Sequence, residues 1–260
     1  MTSYNRPRLT TLDDKRYRAY NEQFILQRKN NRAMRPPRQR DIFGGQAEEA
    51  LRNWLATQVQ LSDRRILEYE ERRGSRATMK YRELDAIALE QRSAWVFEIK
   101  ASRTASALRK AVGQLEETRA ILRLLYHRVD VTVLLVDTGI PANAEEVAAL
   151  MAGPTPPPRP PELLDDVLAA LPQLRLIGGL DERSNDGKTI DLVRFSVEDI
   201  VAMAGAENLA LDWSQDDLIE DYVPPKNEGP LYSTGDDEAQ SSGDDDDNPL
   251  AAALRRAGLK

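Results

Sequence analysis

Asp85, Glu98 and Lys100 fall within one short stretch, YRELDAIALEQRSAWVFEIKAS, Tyr81 to Ser102. Side chains alternate faces along a strand, so Glu98 and Lys100 point one way while Trp95, Phe97 and Ile99 point the other. A hairpin over residues 82 to 101 that turns at Gln91-Arg92 pairs residues whose numbers sum to 183, and this sets Asp85 opposite Glu98. Cross-strand neighbours on one face have Cβ atoms about 5 Å apart. Two carboxylates and an ammonium then gather on one patch, where buried like charges must be neutralised or paired. A divalent cation between Asp85 and Glu98 would do this, with Lys100 beside it. Such a cation polarises a phosphodiester and lowers the pKa of a bound water. The lysine can orient that water or offset charge developing on the phosphate. The plainer reading is a surface hairpin carrying a common Glu-x-Lys pair. Against it stand the runs AIAL and WVF, which are too apolar for a solvated ribbon.

Composition narrows the ion. Cysteine is absent and His127 is the single histidine, so zinc sites built from Cys and His are excluded. Oxygen ligands favour magnesium, manganese or calcium. His127 ends an apolar helix and reads as a helix-terminal cap rather than a base. Apolar residues make up 41% and charged residues 30% of the 260, as in ordinary soluble domains. No apolar run reaches the roughly 18 residues of a membrane span. The first residues lack the apolar middle of a signal peptide, so a cytoplasmic protein is expected. Charge is unevenly spread. Residues 1–41 carry eleven Lys or Arg against four acids, a net +7, and residues 211–260 carry four against thirteen, a net −9. The basic arm suits a polyanion, and the acidic tail suits a protein partner or the chain's own basic end. A homo-oligomer is left open.

The elements that must hold the patch can be read around it. Residues 12 to 33 suggest a basic helix, and RPPRQRD at 35 to 41 a breaker. GGQAEEALRNWLATQV places Ala47, Leu51, Trp54 and Leu55 at helical spacing. RRILEYEE reads as a strand, followed by strands at roughly 82 to 90 and 94 to 101. ALRKAVGQLEETRAILRLLYHR is a long amphipathic helix. VDVTVLLVDTG is a strand buried on both faces. The order is helix, three strands, helix, strand. GPTPPPRPPE at 153 to 162 is a linker. Beyond it come the helix LLDDVLAALPQ, the strands LRLIGGL and TIDLVRFS, and a helix capped by Ser196. SSGDDDDN cannot bury anything, and NPLAAALRRAGLK suggests a short terminal helix. Arg109 and Lys110 read as solvated helix charges, Glu83 as an exposed strand start, and Trp54 and Trp95 as core.

This order and these motifs resemble the PD-(D/E)xK nuclease superfamily. GGQAEEAL is similar to the first-helix motif of archaeal Holliday-junction resolvases and their relatives, and RELDAIALEQRSAWVFEIKAS to that group's strand pair. Leu84 stands where the motif's proline would precede the aspartate. By this match Asp85 takes the aspartate position, Glu98 and Lys100 the Glu-x-Lys, and Glu48, ahead of Glu49, the acid of the first helix. Gln114 sits where RecB-like members often place a glutamine.

The resemblance covers about residues 42 to 139. It implies an α/β fold with a restriction-endonuclease-like core, αβββαβ, whose mixed central sheet is flanked by helices. The expected organisation is a basic arm (1–41), this core (42–152), the linker (153–162), a small α/β segment packing on the core (163–210) and a largely disordered acidic tail (211–260). The implied activity is Mg²⁺- or Mn²⁺-dependent phosphodiester hydrolysis, on DNA ahead of RNA, in phage defence, mobile-element or repair settings. Asp85, Glu98 and the Ile99 carbonyl would hold the metal, with Glu48 one layer out or at a second metal. Lys100 would place the water, and Gln114 would steady the group. The rival expectation is a nuclease-like subunit that serves as a binding or assembly module.

Overall fold

The computed structural model describes residues 2–29, 38–153 and 156–213. The acidic tail from 214 onward, where a terminal helix was expected, residues 30–37, and residues 154–155 of the linker lie outside the described residues. In chain order the elements begin with β1 (Thr2–Thr10), α1 (Lys15–Lys29), α2 (Gln39–Gln58), β2 (Ile66–Arg73), β3 (Arg76–Glu83), β4 (Ala86–Leu89) and β5 (Ser93–Ser102). They continue with α3 (Ala107–Leu122), β6 (Arg128–Asp137), α4 (Ala144–Met151), α5 (Leu164–Ala170), β7 (Leu174–Ile177), β8 (Ile190–Phe195) and α6 (Val197–Ala204).

Strand β6 is buried on both faces and forms the middle of a mixed sheet of order β4-β5-β6-β8-β7. β5, β6, β8 and β7 run parallel, and β4 closes one edge antiparallel to β5. Each face is covered. Ala94 and Val96 pack with Leu108, Val112 and Leu115 of α3, while Trp95, Phe97 and Ile99 pack with Phe43, Leu51 and Leu55 of α2. The 3.6-residue spacing of those α2 positions makes the helix amphipathic and fixes which face it turns to the sheet. The coarse expectation of helices around a mixed sheet therefore holds.

The strand expected at 82–90 is two strands. β3 pairs along its whole length with β2, in a separate three-stranded antiparallel sheet of order β1-β2-β3. The chain leaves that sheet at Leu84, whose N–H donates to the Arg65 carbonyl (2.8 Å). It then enters the central sheet as β4. The β4–β5 register is the expected one, with Ala86 opposite Phe97 and Leu89 opposite Ala94.

Strand β1 was not legible, because TSYNRPRLT is too polar to alternate; its ladder to β2 is what orders it. α2 begins inside the supposed breaker, where the Asp41 carboxylate accepts the Arg38 N–H (3.0 Å). α3 stops at Leu122, before LLYHR, and the N–H groups of His127 and Arg128 turn to the Arg92 carbonyl at 3.0 and 3.3 Å. The segment after the linker does more than pack on the core: β8 and β7 extend its sheet.

Candidate active site

Asp85 lies in the break between β3 and β4, outside both ladders. Peeling away of the chain there deprives Ile99 of a backbone partner across the edge, and a buried N–H must find one. The Asp85 carboxylate supplies it, with Oδ2 accepting the Ile99 N–H at 2.7 Å. The backbone of Asp85 is pinned from the other side, since Arg52 Nε of α2 donates to its carbonyl at 2.9 Å. Glu98 and Lys100 follow on β5, with Lys100 Nζ 2.7 Å from Glu98 Oε1. The side chain of Glu98 is only 15% exposed, that of Lys100 30%.

These carboxyls pay for their placement. Burial, then the neighbouring Asp85, pushes Glu98 up from an ordinary 4.5 to about 6, although Lys100 and Arg82 oppose the rise. Burial also raises Asp85, opposed by the Ile99 N–H, Lys100 and Arg52. Glu48, half-buried on α2, is raised by burial and then by the charge of Asp85, with Lys100 and Arg52 opposing. The structure thus brings Glu48, Asp85, Glu98 and Lys100 into one electrostatic group. Glu49, the second choice on that helix, is exposed. Gln114 is half-buried on α3, the helix that covers the Glu98 face of the sheet.

Two arginines were missed in the sequence. Arg52 sits one helical turn beyond Glu48, and that spacing is the signal that could have found it. Arg82, three residues before Asp85, reaches α3, where Nη1 donates to the Gln114 carbonyl (3.1 Å) and to Thr118 Oγ1 (2.8 Å) and Nη2 meets Glu117. Glu83 is exposed as expected and pairs with Arg65 (2.9 Å). His127 is exposed, in the loop after α3. Trp95 is core, and Trp54 packs edge-on to Phe195 at 5.2 Å.

The donor set suits a hard divalent cation. It is all oxygen, its charged forms are held at a cost that a cation would relieve, and Asp85 Oδ1 and Glu98 Oε2 are not used in the bonds above. Among the described residues, however, no group of three or more His, Cys, Asp or Glu stands close enough to hold a metal ion. Glu48 is thus an electrostatic neighbour of the Asp85–Glu98 pair rather than an assembled third ligand.

Two cavities, of about 550 and 610 Å³, lie elsewhere, lined by residues such as Asp130 and Arg183 in one and Gln46 and Met203 in the other. Neither includes Asp85, Glu98 or Lys100. Comparison with protein-family models, curated proteins and solved structures returns no match to this chain. No helix among the described residues is long and apolar enough to cross a membrane.

Proposed function

We propose that the chain is a metal-dependent nuclease that hydrolyses phosphodiester bonds, with DNA preferred over RNA as substrate. One observation carries the reading: two half-buried carboxylates meet where the edge strand joins the sheet, each held charged at a cost, with an ammonium on the same strand face. A structural ion pair would not need the second carboxylate. Asp85 and Glu98 would hold Mg²⁺ or Mn²⁺, with the Ile99 carbonyl as a further ligand and Glu48 adjusting the field from α2. Bound there, the cation would polarise the phosphate and acidify a water.

The chain's own part is positioning. The Ile99 N–H aims Asp85, and Arg52 fixes the backbone at the strand break. Lys100, tied to Glu98, is set to orient a water and offset charge developing on the phosphate. Arg82 ties β3 to α3 at the carbonyl of Gln114, steadying the helix above the pair. The restriction-endonuclease-like assignment of the core belongs to the same proposal. Its support is that β3 and β4, taken as one interrupted strand, leave helix, three strands, helix, strand.

A second reading has an observation of its own. Lys100 already neutralises Glu98, and the Ile99 N–H already serves Asp85, so the group can persist without a cation as part of a binding or assembly subunit. Purified protein incubated with linear, circular and branched DNA and with RNA, in Mg²⁺, Mn²⁺ or EDTA, separates the two. Metal-dependent cleavage lost in Glu98→Gln supports the nuclease. Nucleic-acid binding without cleavage under any metal supports the subunit.

A further inference from the structure

We infer that the β2–β3 hairpin is a docking surface for the phosphodiester backbone of nucleic acid, leading from solvent to the carboxylate pair. The inference rests on the nuclease reading and extends it to a part of the chain that the motif resemblance does not assign. From Arg72 to Arg82 the sequence RRGSRATMKYR holds five cations and no acid. The two strands turn at Gly74 and Ser75, with Gly74 at φ 60°, a left-handed value that suits glycine.

The register then sets Arg73 directly opposite Arg76, and Tyr69 opposite Lys80. Like charges opposed across a ladder destabilise it, and a polyanion lying on the hairpin would remove that cost. Among the described residues the nearby carboxylates are shared between cations. Glu71 serves both Arg73 (2.9 Å) and Lys80 (2.5 Å), and Glu70 serves both Arg72 (3.5 Å) and Arg6 (3.8 Å). On the face of Arg76, Glu71 is thus shared by two of the cations, and Glu117 meets Arg82.

The hairpin also has a direction. Alternation puts Arg82, Lys80 and Arg76 on one face of β3. Arg82 is the inner end, against α3 beside Gln114, and its charge acts on Glu98. Arg76 is the outer end, exposed at the tip. The rungs therefore lead a backbone of regularly spaced phosphates toward Glu98 and Lys100.

The test is fluorescence anisotropy of the full chain with a short labelled DNA duplex in EDTA, across KCl from about 50 to about 200 mM. The variant is Arg73→Gln/Arg76→Gln, since the two are exposed and oppose each other on the face of Lys80 and Arg82, and Lys80 still holds buried Glu71. A control, Arg64→Gln/Arg92→Gln, removes the same charge away from the hairpin tip, and circular dichroism checks that all three proteins are folded. Each lost phosphate contact lowers the salt slope by about 0.9. The hairpin variant should therefore lose about 1.8 in slope and bind roughly sixtyfold more weakly at 0.1 M salt. The control should match wild type.

Equal loss in the control, or no loss in the hairpin variant while wild type binds and cleaves, overturns the hairpin and leaves the nuclease reading standing. Failure of wild type to bind duplex DNA, single-stranded DNA or RNA at the lowest salt overturns both. Binding of heparin without any nucleic acid also overturns both, since the surface would then suit a different polyanion.

Discussion

Replacing Glu98 by Gln should stabilise the metal-free protein at neutral pH. The Glu98 carboxyl is displaced from 4.5 to about 6, and at about 1.36 kcal/mol for each pH unit of displacement this is about 2 kcal/mol. The Lys100 ion pair is already included, since it pulls the group the other way. The sign follows from a raised carboxyl. Below 4.5 the group is protonated in both folded and unfolded chains, and nothing is lost. Between 4.5 and about 6 the folded chain binds more protons than the unfolded one, so stability falls as pH rises. Above that window the full cost is present.

Gln mimics the protonated form at every pH. For a domain of this size about 1 kcal/mol moves the melting temperature by about 2–4 °C, so Glu98→Gln should melt about 4–8 °C higher near pH 7.5 in EDTA. The gain should vanish near pH 4. Adding Mg²⁺ should raise the melting temperature of wild type alone and narrow the gap, since only the folded wild type offers the ion two carboxylates. Thermal unfolding by circular dichroism over that pH range is the assay. A variant no more stable than wild type at pH 7.5, or a gain undiminished at pH 4, would show that Glu98 is not a carboxylate held at a cost.

Other expectations are simpler. Cleavage should need Mg²⁺ or Mn²⁺, with Ca²⁺ supporting binding alone because its looser coordination holds water and phosphate less strictly; full activity in excess EDTA would refute this. Lys100→Ala should remove cleavage while DNA affinity by anisotropy changes less than threefold, and wild-type rates in that variant would exclude its role. Arg82→Ala strips three acceptors on α3, and urea unfolding should show a loss of about 1–3 kcal/mol; an unchanged midpoint would mean that β3 does not need α3.

The parts of the site that sequence revealed are those set by short-range pattern. Glu98 and Lys100 share a face because strands alternate, and the apolar residues between them fix which face is core. The turn at Gln91-Arg92 gave the register without a glycine to mark it. What stayed hidden depends on pairing between distant segments. Arg82 and Asp85 looked like parts of one strand, and only the β2 ladder, competing for residues 76–83, shows why the chain breaks between them. Arg52 had only its spacing from Glu48 to mark it, because its partner, the Asp85 carbonyl, is backbone and carries no sequence signal.

That break makes Asp85 the residue at which structure and chemistry can be separated. Its carboxylate has two tasks, to accept the Ile99 N–H through Oδ2 and, in the proposed reaction, to hold the cation. Asp85→Asn keeps a carbonyl oxygen for the N–H and removes the negative charge. It should fold with stability equal to wild type or greater, because a half-buried charge is gone, and should lose cleavage. Asp85→Ala removes the acceptor as well and leaves the N–H of buried Ile99 unsatisfied, at a cost of about 1–3 kcal/mol. Relief of the half-buried charge offsets part of that cost, so Ala should fall below Asn in urea midpoint although both are inactive. Amide hydrogen exchange localises the effect. The Ile99 amide should exchange faster in Ala than in Asn, while amides of β6 keep their protection. Equal stability and equal exchange in the two variants would mean that the Ile99 N–H has another acceptor and that Asp85 is not what fixes the strand break.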